Sequence, residues 1–136
     1  NLSFNDLPGV SPQSIALADK TGEMTLHIDS TNSGESSLKK LDGRATTSSV
    51  TVPTMTLLDF ARQESLPYIS AMKLDVEGAE DLILSPFFAD APAELLPDLM
   101  IVENADVRWS RDIVSEAKSR GYRIDRKTRM NLVLRR

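Results

Sequence analysis

Several kinds of residue are scarce in this chain of 136 residues, and each scarcity excludes something. Cysteine is absent, so disulfides, thiolate chemistry and cysteine-ligated zinc are excluded. Histidine occurs once, as His27, which excludes a multi-histidine metal site. Aromatic residues make up 5% of the chain, too few to interleave with basic residues as a stacking platform for nucleic acid. No apolar run approaches the roughly 20 residues that a membrane helix needs. The opening NLSFNDLPGV has neither the basic start nor the long apolar segment of a signal peptide. The expectation is a cytoplasmic protein with no nucleic-acid and no membrane partner, and the net charge of −4 agrees with it. Basic residues gather only towards the tail, from Arg120 to Arg136, and read as a solvated edge.

What is present suits a single domain, residues 1–136, large enough to hold one core. Ser14 to Ala18 reads as a short buried strand, and Glu23 to Ile28 alternates polar and apolar residues as a strand with one wet face. His27 falls on that strand as a surface residue. Asp29 to Ser37 is a polar loop, and Leu38 to Ser49 a mostly polar connection. Val50 to Pro53 is a short strand. Thr56-Leu57-Leu58-Asp59 opens a helix in the manner of a capping box, with Leu57, Leu58, Phe60 and Ala61 on its apolar side.

A strand over Ala71 to Val76 follows, then a helix from Ala79 that Pro86 is expected to stop. Ala91 to Pro97 reads as a helical turn. Leu99 to Glu103 is a near-continuous apolar strand, as expected where both faces are covered. Ser110 to Arg120 is an amphipathic helix with Gly121 at the C-cap. Tyr122 to Asp125 and Asn131 to Leu134 are two strands joined by a basic hairpin. Strands alternating with helices predict an α/β domain with a mainly parallel sheet and an antiparallel hairpin at its end. Leu74, Val76, Ile101 and Val102 should then be buried in adjacent parallel strands.

The stretch KLDVEGAE, Lys73 to Glu80, stands out because a strand ends in three carboxylates and a glycine. Ligands of open parallel sheets bind beyond the carboxyl ends of the strands. If the two apolar strands are neighbours, Asp75 meets Glu103 and Asn104 in one crevice. Lys73 and Asp75, two apart, share a face of their strand. Gly78 allows a close approach of backbone or ligand. Glu80 reads as a solvated acid in a first helical turn.

The same stretch resembles the signature of the FkbM family of S-adenosylmethionine-dependent methyltransferases. IALADKTGEMTLHI, SGESSL, VTVPTMTLLDF, IVEN and NLVL resemble further pieces of that family, in the family's order. The resemblance implies a class I methyltransferase, Rossmann-like α/β fold. It implies transfer of a methyl group from S-adenosylmethionine to a hydroxyl of a small molecule or glycan. It also implies an earlier half, with a glycine-rich loop and a strand ending in an acid, that nothing here matches. The chain is therefore expected to be the carboxyl-terminal part of such a domain, with its first strands missing. Weak binding of S-adenosylhomocysteine and pairing into homo-oligomers along an exposed strand edge are the matching expectations. The competing reading is a non-catalytic binding or assembly module derived from a methyltransferase.

Carried onto this sequence, the resemblance makes Asp75 the leading catalytic acid, with Lys73 and Glu77 holding it. Ala18, Asp19 and Asp75 are the cofactor candidates. Glu103, Asn104 and Trp109 are the acceptor candidates, Trp109 being equally readable as a loop anchor. Ser36 and Ser37 lie in a polar loop where serine is ordinary. Asp75 with Glu103 and Asn104 also resembles the arrangement by which catechol O-methyltransferases hold magnesium. Magnesium is the less favoured reading, because the Lys73 ammonium would neutralise the same carboxylates.

Overall fold

The computed structural model describes residues 9–29, 38, 46–104 and 107–136. The first strands are β1 (Ala16–Leu17), β2 (Gly22–Asp29) and β3 (Thr46–Met55). They form one sheet in the order β1-β3-β2, with β1 parallel and β2 antiparallel to β3. β3 is ten residues long rather than the short strand expected at Val50 to Pro53. The reason is its partner: β2 pairs with β3 from Thr54 back to Thr46, so residues read as polar connection complete a backbone ladder. β1 is conversely shorter than Ser14 to Ala18, because pairing covers only Ala16 and Leu17. His27 lies opposite Ser49 and is half-buried rather than a surface residue.

The second sheet holds β4 (Ala71–Leu74), β5 (Leu99–Glu103), β6 (Arg123–Lys127) and β7 (Asn131–Arg135) in the order β4-β5-β7-β6. β4 and β5 are parallel neighbours with Leu74 opposite Val102, and β7 runs antiparallel to both β5 and β6. The fold is therefore mixed α/β. Two strand pairs among the described residues are parallel and three antiparallel, in place of the mainly parallel sheet expected. Two hairpin-like pairings account for the difference, because β2 with β3 and β6 with β7 fold back on themselves.

The helices are α1 (Leu57–Gln63), α2 (Glu80–Asp90) and α3 (Ile113–Ser119), with a 3-10 turn at Ala93–Leu95. Thr56 caps α1 as its sequence suggests, its hydroxyl accepting the Asp59 N–H at 3.0 Å. Asp59 does not return that bond; its carboxylate accepts from Thr21 Oγ1 at 2.7 Å and so ties α1 to the turn before β2. That bond, with a contact from the Thr56 hydroxyl to the same carboxylate and the nearby Arg62 cation, holds its carboxyl below the usual range.

Pro86 does not stop α2 but lies inside it. A proline there costs about 3 kcal/mol. Phe87 and Phe88, which follow it, are both buried, and each contributes roughly 1.5–3 kcal/mol. Burial of the two rings outweighs the break. α3 is shorter than the expected Ser110 to Arg120, starting only after Asp112, whose carboxylate caps Ser115. It ends with Gly121 at φ +91°, the Gly121 N–H bonded to Lys118 O and the Tyr122 N–H to Ala117 O. This is a Schellman closure, which only a left-handed residue completes without strain.

One core unites these elements. Leu74, Met100, Val102 and Leu134 on one face of the second sheet pack with Leu57, Leu58 and Ala61 of α1, Ile83, Leu84 and Phe87 of α2, and Ile113 and Ala117 of α3. The opposite face is only half-buried at Leu99, Ile101 and Val133, so full cover of both faces is not what the strand's apolar run reflects. Leu74 and Val102 are buried as expected, Ile101 is half-buried, and Val76 is half-buried beyond the end of β4.

Candidate functional site

β4 and β5 run parallel in register, so their carboxyl ends bring the residues after Leu74 beside Glu103. Five residues, Asp75 to Ala79, turn the chain from β4 into α2. Glu77 at φ +55° and Gly78 at φ +90° are both left-handed, a conformation costly for a glutamate unless its surroundings impose it. The imposing group is Glu80. It is fully buried, and its Oε1 accepts the N–H groups of Val76 at 3.2 Å and Gly78 at 3.4 Å. Its Oε2 accepts the indole N–H of Trp109 at 2.8 Å. The expectation of a solvated acid is therefore wrong. Helix-start position is a weak guide when backbone donors of a tight turn need an acceptor.

Asp81 is buried beside it and accepts from both the N–H and the hydroxyl of Ser110, at 2.8 and 2.6 Å. Two carboxylates at the start of α2 thus fasten the loop after β5 at Trp109 and Ser110. Of Trp109's two readings, the loop anchor is the one these contacts describe; its ring also packs against the core.

Three other carboxylates gather at the strand ends. Asp75, Glu77 and Glu103 place oxygens within 4.8 Å of one another. Two cations meet them. Lys73 Nζ donates to Asp75 Oδ2 at 2.5 Å, as expected for residues sharing a strand face. Arg108 spans the other two, with Nη1 3.6 Å from Glu77 Oε2 and Nη2 donating to Glu103 Oε1. Burial pushes the Glu103 carboxyl up, against the opposing pull of the Arg108 hydrogen bond and charge, while Glu80 and Glu77 add to the rise. Gly78 is what admits Arg108. A Cβ on Gly78 would stand 3.0 Å from Arg108 Cβ and Cδ and 3.1 Å from its Nε. The close approach predicted for Gly78 is thus made by a side chain of the protein itself.

Asn104 is turned away from this group. Its N–H bonds Met130 O at 2.8 Å and its Nδ2 faces Thr128 O and Arg129 O at 3.5 and 3.4 Å, fastening the β6–β7 hairpin to the end of β5. Ala18 is buried with its N–H on Met55 O, and Asp19 is exposed beside α1 and α2, bordering two smaller recesses of about 340 Å³ each. Ser36 and Ser37 lie outside the described residues.

Beside the carboxylates is a cleft of about 540 Å³. Ile15, Ala16, Leu17 and Leu26 form its wall on the first sheet, and Leu74, Val76, Ala79 and Ile83 its floor. Lys73, Asp75 and Glu77 supply its polar rim. An apolar hollow with a few convergent charged groups is the usual form of a small-molecule site.

The sequence profile of the Methyltransferase FkbM domain matches residues 3–124. The chain belongs to the FkbM methyltransferase family. No curated protein and no solved structure matches it. Within the matched span, KLDVEGAE is the segment that closes β4, makes the left-handed turn and opens α2. Its last glutamate is the buried acceptor that shapes the turn, while Asp75 and Glu77 face the cleft. Arg108 lay outside every sequence-based candidate. The signal for it was faint: a lone arginine five residues after a strand-ending glutamate, meaningful only once the strands are known to be neighbours. No helix among the described residues is long and apolar enough to cross a membrane.

Proposed function

We propose that this FkbM domain is an O-methyltransferase that moves a methyl group from S-adenosylmethionine to a hydroxyl of a small molecule or glycan. The observation that carries the reading is the convergence of Asp75, Glu77 and Glu103 at the ends of adjacent parallel strands, beside an apolar cleft. The cleft suits the nucleoside part of the cofactor. Its apolar wall offers contact for a base, and its carboxylate rim offers acceptors for ribose hydroxyls and countercharge for a cationic centre. When bound, the cofactor supplies a methyl group on a positively charged sulfur. Asp75, steadied by Lys73, is the leading group to hold the acceptor hydroxyl by its proton. Glu77 lines the same rim in a backbone conformation fixed by Glu80, so its carboxylate is held in place before any ligand arrives.

Magnesium is disfavoured here. Lys73 and Arg108 already neutralise most of the carboxylate charge, and a divalent ion would have to displace them.

The test is calorimetry with S-adenosylhomocysteine, paired with transfer of labelled methyl from S-adenosylmethionine to a panel of sugars and polyols. Asp75→Asn is expected to lower transfer about 100-fold or more. Transfer unaffected by Asp75→Asn would remove Asp75 from the reaction. Failure of both binding and transfer would favour a non-catalytic binding module.

A further inference from the structure

The hairpin between β6 and β7 lies at the same end of the sheet as the candidate site. Asn131, the first residue of β7, pairs with Glu103, the last of β5, so Thr128 to Met130 reach past the final rung of that ladder. The turn is firmly built. The Thr128 hydroxyl accepts the N–H groups of Met130 and Asn131 at 3.3 and 2.9 Å, and the Thr128 N–H donates to Asn131 O at 2.8 Å. A turn closed by a threonine hydroxyl does not need the glycine or asparagine usual at such tips. Its outer positions carry Arg129 and Met130 instead, both exposed, Met130 at 68%. Val107, on the loop after β5, is 92% exposed. That loop is fastened on both sides of it, by Asn104 to the hairpin and by Arg108 to Glu103. Single exposed apolar side chains are ordinary. Here the two most exposed large apolar residues among those described stand at one strand end. Three cations accompany them: Arg126, Lys127 and Arg129 fall within four residues of a chain whose net charge is −4. Neither Arg126 nor Arg129 has an ion-pair partner among the described residues.

We propose that this strand end docks on an anionic lipid bilayer, with Met130 and Val107 entering the headgroup layer and Arg126, Lys127 and Arg129 meeting the lipid phosphates. Apolar side chains flanked by lysine and arginine are the composition that lies at a membrane surface. Each cation near an anionic surface raises binding about 5-fold. The turn is already ordered by Thr128 and Asn104, so little conformational freedom is lost on contact. An acidic protein could also meet the cations, but a projecting tip offers it a small area, whereas a bilayer needs no matching pocket. The lack of a spanning helix does not bear on such a contact, which lies in the plane of the surface. Asp75, Glu77 and Glu103 at the same strand end do not cancel the attraction, because Lys73 and Arg108 are paired with them. The bulged Asp125 is the one acid between Arg123 and Arg136. Docking stands apart from the methyl-transfer reading. It rests on that reading only for its consequence, that the acceptor hydroxyl would be carried by a lipid at the headgroup layer.

The experiment is co-sedimentation of the whole chain with vesicles of phosphatidylcholine alone and of phosphatidylcholine with about 30% phosphatidylglycerol. Wild type should bind the anionic vesicles about 10-fold or more tighter than the neutral ones, and lose most of that difference when salt is raised from about 0.1 M to about 0.5 M. Met130→Ser should weaken binding about 10-fold, and Val107→Ser by a smaller factor of about 3. Arg129→Gln should weaken it about 5-fold. All three side chains are exposed, so the variants should fold as wild type, which circular dichroism checks. Absence of binding, or equal binding to neutral and anionic vesicles, overturns the proposal. Wild-type binding by both Met130→Ser and Arg129→Gln would place the contact on another face and overturn it too. A loss with Arg129→Gln but none with Met130→Ser or Val107→Ser would reduce the contact to charge and refute insertion. Poly-glutamate bound as tightly as the vesicles would assign the surface to an acidic protein instead. The assay contains neither cofactor nor acceptor, so its failure and a failure of methyl transfer are read separately.

Discussion

Two groups of carboxylates lie within a few residues of each other and meet opposite fates. Glu80 and Asp81 are buried, and both accept hydrogen bonds from the turn or the loop they fasten, Asp81 also from the Leu82 N–H in its own helix. Asp75 and Glu77 sit at the rim of the cleft with Glu103 beside them, and Lys73 and Arg108 pair with all three. The first group is a structural anchor and the second is the candidate site. What separates them is the supply of fixed N–H donors, not sequence distance or charge.

The sharpest way to break this comparison is at Glu80. Glu80→Ala strips the acceptor from two backbone N–H groups and the Trp109 indole, and should cost roughly 3–5 kcal/mol in urea unfolding. A loss below about 1 kcal/mol would mean the turn does not depend on it. Asp81→Ala should cost about 2 kcal/mol, since it frees the Ser110 N–H and hydroxyl. Gly78→Ala should cost about 1–2 kcal/mol from its left-handed backbone alone. Part of any further loss should be recovered in the double variant with Arg108→Ala, because the collision is with that side chain. Strict additivity of the two substitutions would contradict the close approach.

The rim should behave differently. Glu103→Gln should change stability by less than about 1 kcal/mol at neutral pH, the lost Arg108 bond being offset by relief of a buried charge. The sign with pH follows from the raised carboxyl. Its contribution is fully present below the unfolded value and is lost as pH rises through the folded one, so the wild type should lose more stability than Glu103→Gln over that window. The smallest effect belongs to Asp75→Asn, at most about 0.5 kcal/mol, because its pair with Lys73 is half exposed. A large thermal shift there would move Asp75 into the anchoring group.

Much of the second sheet was legible in the chain. LMIVE and KL read as strands, Gly121 as a helix stop, Thr56 as a cap, and Asp75 with Glu103 as neighbours across two strand ends. These are local signals, carried by periodicity and by residues with special backbone needs. The misses share a cause of another kind. The extra length of β3 depends on the pairing offered by β2, and the persistence of α2 through Pro86 depends on what Phe87 and Phe88 bury. The burial of Glu80 depends on a turn whose donors are invisible until it is folded, and the role of Arg108 on two strands lying side by side. Each is decided by tertiary partners, which no window of sequence contains.

The placement of Trp109 has a practical consequence. It is the chain's one tryptophan, its indole N–H is bonded to buried Glu80, and its neighbour in the chain reaches across the rim carboxylates. The molecule therefore carries a single tryptophan fluorophore, excited selectively over the tyrosines at long wavelength, mounted between its anchor and its cleft. A ligand that shifts Arg108 will disturb the indole's hydrogen bond or its packing, and the emission will change without any label. Unfolding will instead expose the ring to water and shift its emission to longer wavelength. Occupancy and stability can thus be followed in one cuvette, by intensity and by wavelength.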